Sequence, residues 1–198
     1  MPLREELRGI GERIAAHFAS GGEPPFIVYQ YLPSEEWHVR RDLGELRRWL
    51  EAAPRGIGCA SVSLAELFWE ALEGSAYLDE LIAQERMANA ASNGKALKEV
   101  NAAVGEILRE PPTLPDRVIA RVCEYDERTA VFLYRAGALY PSYRTSTLLD
   151  DLRGRLSRPV TLLYPGHLVG EYGLSFMDRA ETAYGYRALI VPREGRRK

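Results

Sequence analysis

Between Val131 and Phe176 two apolar runs each break off into turn chemistry, VFLYRAGALYPSYRTSTLLDDL and then PVTLLYPGHLVGEYGLSF, and this pattern narrows the possible folds more than anything else in the chain. Val131, Phe132, Leu133 and Tyr134 are β-formers with almost no alternation, which suits a strand covered on both faces within a parallel sheet. Gly137 and Pro141 punctuate the loop that follows. One of Thr145, Ser146 or Thr147 is placed to cap a helix carrying Leu148, Leu149, Leu152 and Leu156 on one face. A second buried-type strand, Val160 to Tyr164, ends in Pro165-Gly166. The two strands are expected to set their carboxyl ends side by side, at the edge of an open α/β sheet where ligands and partners usually sit.

The rest of the chain extends the same alternation. Leu3, Leu7, Ile10, Ile14 and Phe18 recur at helical spacing and predict a peripheral helix over 3–18, ending before Ser20-Gly21-Gly22. Pro24-Pro25 introduces a strand from Phe26 to Tyr31. Ser34 then caps a helix with Glu35 and Glu36 in its first turn and Val39, Leu43, Leu46 and Leu50 facing the core. After Pro54 and Gly56-Ile57-Gly58, Cys59 to Leu64 reads as the next strand, so strand, helix and strand imply a right-handed parallel crossover. From Ala65 to Glu127 the pattern is helical and broken. Leu97, Val100, Val104 and Ile107 mark one helix, and Val118, Ile119 and Val122 mark another with Asp116 as its cap. The expectation is a single α/β domain over residues 1–198. It has a mostly parallel central sheet, flanking helices and a helical insertion at about 65–127, with Phe26–Tyr31, Cys59–Leu64, Val131–Tyr134 and Val160–Tyr164 in one sheet.

Size and charge bound the function. A domain of 198 residues buries roughly 70% of the surface its unfolded chain exposes and needs no metal or disulfide to hold together. Lysine and arginine total 26 against 28 acidic residues, and a formal net charge of −2 gives no overall attraction to phosphate backbones. The short basic tail Arg193, Arg196, Arg197, Lys198 reads as solvated. Two cysteines, Cys59 and Cys123, with no secretory segment ahead of them indicate a reducing, cytoplasmic setting. No apolar run approaches the ~20 residues of a membrane helix.

Catalytic constellations fail one by one. Gly94-Lys95 is followed by Ala96, with Asn89 where a phosphate-binding loop needs its first glycine. Gly173-Leu174-Ser175-Phe176-Met177 lacks the second glycine of a nucleophile elbow, and His167 near Asp178 in sequence is not triad geometry. His17, His38 and His167 are scattered, so neither a metal nor a cofactor site is expected. Glu171, Asp178 and Glu181 lie close together at no more than background density.

What survives is a concentration of Tyr, Pro, Arg and Gly at the strand ends: Tyr140, Pro141, Tyr143 and Arg144, with Tyr164, Pro165, Gly166 and Tyr172. Tyrosine and arginine are enriched at binding hot spots, which makes this a docking edge for a partner protein. The other reading makes the tyrosines amphipathic core-boundary residues and Arg144 a brace of the loop. Arg144 beside a helix N-terminus also suits an anion, and hence a nucleotide or nucleic acid.

These segments together resemble the BrxB proteins of the bacteriophage exclusion (BREX) defence systems. The likeness rests on the strand at 131–134, on Ala138-Leu139-Tyr140-Pro141 with Arg144, on Thr147-Leu148-Leu149-Asp150 and on Tyr164-Pro165-Gly166. It continues through Gly170, Leu174-Ser175-Phe176, the terminal strand around Tyr186 to Val191, and Phe26 to Tyr31, while residues 65–125 contribute little. Family members tend to carry Thr-Gly directly after the first of these strands, where this chain has Tyr134-Arg135-Ala136-Gly137. The resemblance implies a non-catalytic component of a multi-gene anti-phage system that also contains a DNA methyltransferase, a large ATPase and PglZ, a protein of the alkaline-phosphatase superfamily. It implies association with PglZ, and so an adaptor that helps assemble the complex for host DNA methylation and phage restriction.

Overall fold

The computed structural model describes residues 3–90, 95–170, 173–176 and 187–194. Its elements in chain order are α1 (Glu5–Ser20), β1 (Phe26–Tyr31), α2 (Glu36–Glu51), β2 (Gly58–Ser63), α3 (Leu64–Glu73), α4 (Leu78–Ala90), α5 (Lys95–Ile107), α6 (Leu114–Cys123), β3 (Thr129–Tyr134), α7 (Thr145–Leu152), β4 (Val160–Val169), β5 (Gly173–Phe176) and β6 (Leu189–Pro192). The sheet runs β2-β3-β4-β1-β6 with every neighbouring pair parallel, and β5 adds to β4 antiparallel. The four strands expected to share one sheet do so.

Alternate residues of each central strand feed two apolar cores, which is why these strands read as continuous apolar runs. On one face Val28, Leu133, Leu162 and Tyr164 pack with Leu67, Val118 and Leu148 from α3, α6 and α7. On the other, Ile27, Tyr29, Phe132 and Leu163 pack with Leu7, Ile10, Ile14, Val39 and Leu46 from α1 and α2. The first helix is therefore not peripheral, because Leu7 and Ile14 are fully buried in the second core. Leu97, by contrast, is exposed, and α5 buries only the later positions of its apolar face, Val104 and Ile107.

Topology decides which strand ends meet. The β1–α2–β2 crossover carries the chain to the far edge of the sheet over the α1/α2 face. β2 to β3 to β4 then returns toward β1 with α3–α7 on the opposite face. Travel in opposite directions over opposite faces keeps one handedness throughout. It also sets the carboxyl ends of β1, β3 and β4 next to one another at the point where chain direction reverses, the usual crevice of open α/β sheets.

Helix starts differ in detail from the sequence reading. Ser34 lies in a 3-10 turn (Pro33–Glu35), and the Glu35 carboxylate, not the serine, accepts the Leu32 amide at 3.3 Å. At α6 the cap is Thr113. Asp116 sits three residues on and closes a reciprocal box, accepting the Thr113 amide at 2.8 Å while its own amide donates to Thr113 Oγ1 at 3.3 Å. Arg155, from the segment leading into β4, donates to the other Asp116 oxygen at 2.6 Å. The Arg155 and Thr113 hydrogen bonds hold the Asp116 carboxyl down to about 2, from an ordinary 3.8. A carboxyl depressed in the folded state stabilises it above the unfolded value, and that stability drains away as pH falls from about 4 toward 2. Urea unfolding midpoints at about pH 5 and about pH 2.5 should therefore diverge more for the native chain than for Asp116→Asn. Equal pH dependence in the two proteins would show that this staple is not coupled to folding.

Candidate functional site

β3 ends at Tyr134, and Arg135 turns the chain with φ of 58°, a left-handed conformation uncommon outside glycine. A 3-10 turn (Ala136–Leu139) and the loop from Tyr140 to Arg144 follow. Tyr143 anchors that loop. Its ring is 5% exposed, its amide donates to Leu139 O at 2.7 Å, and its hydroxyl donates to Asp151 Oδ2 at 3.3 Å. The Arg109 guanidinium lies 5.2 Å from the Tyr143 ring centre and donates to Gly105 O at 2.6 Å. Burial first, and then the Asp151 carboxylate, push the phenol up to about 12, so Tyr143 stays neutral at physiological pH. Gly105 is required by close approach, since a Cβ there would stand 2.7 Å from Ser142 O. The loop is thus pressed directly onto the backbone of α5.

β4 does not stop at Pro165-Gly166, as the turn chemistry suggested. It runs on to Val169 and folds back as β5, with Gly166 opposite Phe176 and Leu168 opposite Leu174. Pro165 lies opposite Tyr31 in the parallel register, past the point where β3 and β4 stop pairing at Leu162, and a strand accommodates proline where one of its sides is free of a ladder. Gln30 Nε2 donates to Gly166 O at 2.6 Å and ties β1 to the base of this hairpin. Phe176 then bridges two of the expected site residues. It stacks on Tyr140 with centroids 5.3 Å apart and meets Tyr164 edge-on at 5.6 Å.

The expected site residues separate into a base and a surface. Tyr143 and Tyr164 are buried, at 5% and 2% exposure, and Gly166 is buried as well. Such residues shape the edge and cannot touch a partner across it, so for them the core-boundary reading fits. Tyr140 is 45% exposed, Pro141 and Arg144 are exposed, and Pro165 is half-buried. Tyr172 lies outside the described residues. Arg144 itself occupies the cap position of α7, which begins at Thr145, and its side chain makes no capping bond. It also has no ion pair among the described residues.

The sequence reading passed over Leu32 and Trp37, which stand 39% and 77% exposed just after β1, with Arg40 stacked 5.1 Å over the Trp37 ring. The signal was present: Trp37 lies about 200° around the helix from Val39 and thus opposite the apolar stripe. Leu168 and Val169, at the outer end of β4, are likewise part-exposed. Three of the sheet's carboxyl ends therefore present apolar or aromatic surface.

Among the described residues no cluster of His, Cys, Asp and Glu is arranged to hold a metal ion. His167 lies on β4 opposite Ser175, and Asp178 lies outside the described residues. Cys59 is a free thiol whose burial pushes it up to about 12, which leaves almost no thiolate at neutral pH. No described helix is long and apolar enough to cross a membrane.

The family model described as BREX protein BrxB matches residues 60–191, two thirds of the chain. The chain belongs to the BrxB family. It is thereby a component of a BREX defence system. No curated protein and no solved structure matches it. The matched stretch runs from within β2 to within β6 and contains the whole loop from β3 to α7 and the β4–β5 hairpin. β1, which lies between β4 and β6 in the sheet, comes from the segment ahead of it.

Proposed function

We propose that this BrxB-family chain is a non-catalytic, cytoplasmic adaptor of its BREX system, docking a PglZ-like protein at the carboxyl edge of the sheet. Through that contact it helps assemble the complex, with the system's methyltransferase and large ATPase, that methylates host DNA and restricts phage. One observation carries the reading. Tyr140 and Arg144 stand exposed within five residues of each other, Arg144 with no partner among the described residues, on a loop fixed from beneath by Tyr143, Asp151 and Gly105. A rigid loop offering an aromatic and a free guanidinium loses little entropy on binding, and these residue types dominate hot spots.

The test is a pull-down of the co-expressed PglZ-like protein with Arg144→Ala and Tyr140→Ala. Each substitution is expected to weaken the complex by about 2 kcal/mol, roughly 30-fold; Arg144→Ala should leave the melting temperature of the isolated chain unchanged, while Tyr140→Ala, which also loses its stack on Phe176, should lower it slightly. An Arg144→Ala protein that is fully stable and fully binding removes the assignment. Nucleotide or DNA that stabilised the native chain but not Arg144→Ala would transfer this edge to an anionic ligand.

A further inference from the structure

At the opposite end of the sheet, where β1 and β6 begin, lies an open cavity of about 730 Å3. Its charge is one-sided. Arg13 and His17 reach it from α1, Arg153 from the end of α7 and Arg187 from the approach to β6, and among the described residues the one carboxylate in its lining is Glu23. Glu23 accepts from Arg153 Nη1 at 3.1 Å, but its side chain is 73% exposed. Among the described residues neither Arg13 nor Arg187 has a carboxylate partner. Cations on the last turns of α1 do suit its carbonyl end. Arg153 and Arg187 come from other elements, and that explanation does not reach them.

Part of the cavity wall is apolar. Pro24, Pro25 and Leu189 line it, and Arg153 is held in place over the Phe26 ring at 5.2 Å. Guanidinium forks match phosphate oxygens two at a time, and an apolar wall alongside suits a flat organic group. The volume lies within the ~300–1,000 Å3 of ordinary small-molecule sites. We infer that this cavity binds a nucleotide-sized phosphate ester, its phosphates against Arg13, Arg153 and Arg187 and its organic part on the proline wall. The site is separate from the docking edge and does not depend on it.

Isothermal titration of the full chain at low salt, with ADP and with inorganic pyrophosphate, tests the assignment. Both should bind, ADP more tightly because only it covers the wall. Arg13→Glu and Arg187→Glu should each weaken ADP about tenfold or more. Both side chains are exposed, so the variants should melt with the native chain. Arg144→Ala should bind ADP normally. The assignment fails if the native chain binds no ADP, if pyrophosphate binds as well as ADP, or if both charge reversals leave ADP affinity unchanged. It fails equally if a DNA duplex binds and ADP does not, since the ligand would then be a nucleic-acid backbone.

Discussion

Replacing Arg193 with alanine is expected to cost about 3 kcal/mol of folding stability. The Arg193 side chain is only 6% exposed and bonds two carboxylates at once, Glu35 and Asp42. Its distance to Asp42 is 3.1 Å, and Asp42 is itself 4% exposed on the buried side of α2. The Arg193 amide meanwhile donates to Gln30 O at 2.7 Å, so one residue ties the end of β6 to both β1 and α2. Removing a partner from a buried ion pair leaves an uncompensated charge, which typically costs ~3–5 kcal/mol. Arg41 at 3.5 Å and Arg4 at 3.9 Å stay close to Asp42, which argues for the lower end of that range. Adding Asp42→Asn to the Arg193→Ala protein should recover part of the loss, because the stranded charge goes with it. Urea midpoints for the four proteins of this cycle decide the matter. A loss below about 0.5 kcal/mol would mean that water reaches the cluster and screens it.

None of that cluster was legible from the sequence. Arg193 read as the start of a solvated basic tail, and nothing in the local pattern singled out Asp42. Pairing across about 150 residues leaves no local trace in either segment. The strands were legible for a physical reason: β1, β3 and β4 are buried on both faces, so each prints a continuous apolar run bounded by Pro or Gly. Strand ends were less so. Pro165-Gly166 carries turn chemistry, yet the glycine is there to let β5 approach and the chain stays extended through it. Sequence also picked out this edge but could not divide it. Tyr140 and Tyr143 are two tyrosines three residues apart, and only the contact with Asp151 and the pressure of α5 make one of them core and leave the other at the surface.

Gly166→Ala is expected to cost about 3 kcal/mol, the upper end of what an inserted methyl does in a packed site. A Cβ at that position would lie 2.3 Å from Ser175 O and 2.8 Å from Tyr164 Cε1. The first of these is backbone of the paired strand and has no rotamer to escape into, so β5 must shift away from β4. That shift strains the Gln30 bond to Gly166 O and draws Phe176 off Tyr140, since Phe176 is the residue opposite Gly166 in the hairpin. Two readouts should move together: a lower melting temperature, and a partner affinity that falls further than unfolding explains, although Tyr140 and Arg144 are unchanged. Gly9→Ala is the matched control, because its added methyl meets nothing within 4 Å on a part-exposed helix position. There the same chemical change should be neutral or stabilising by up to about 1 kcal/mol. A Gly166→Ala protein as stable as the native chain would refute the hairpin's close packing. Lost stability with partner affinity intact in the folded fraction would separate the hairpin from the docking edge.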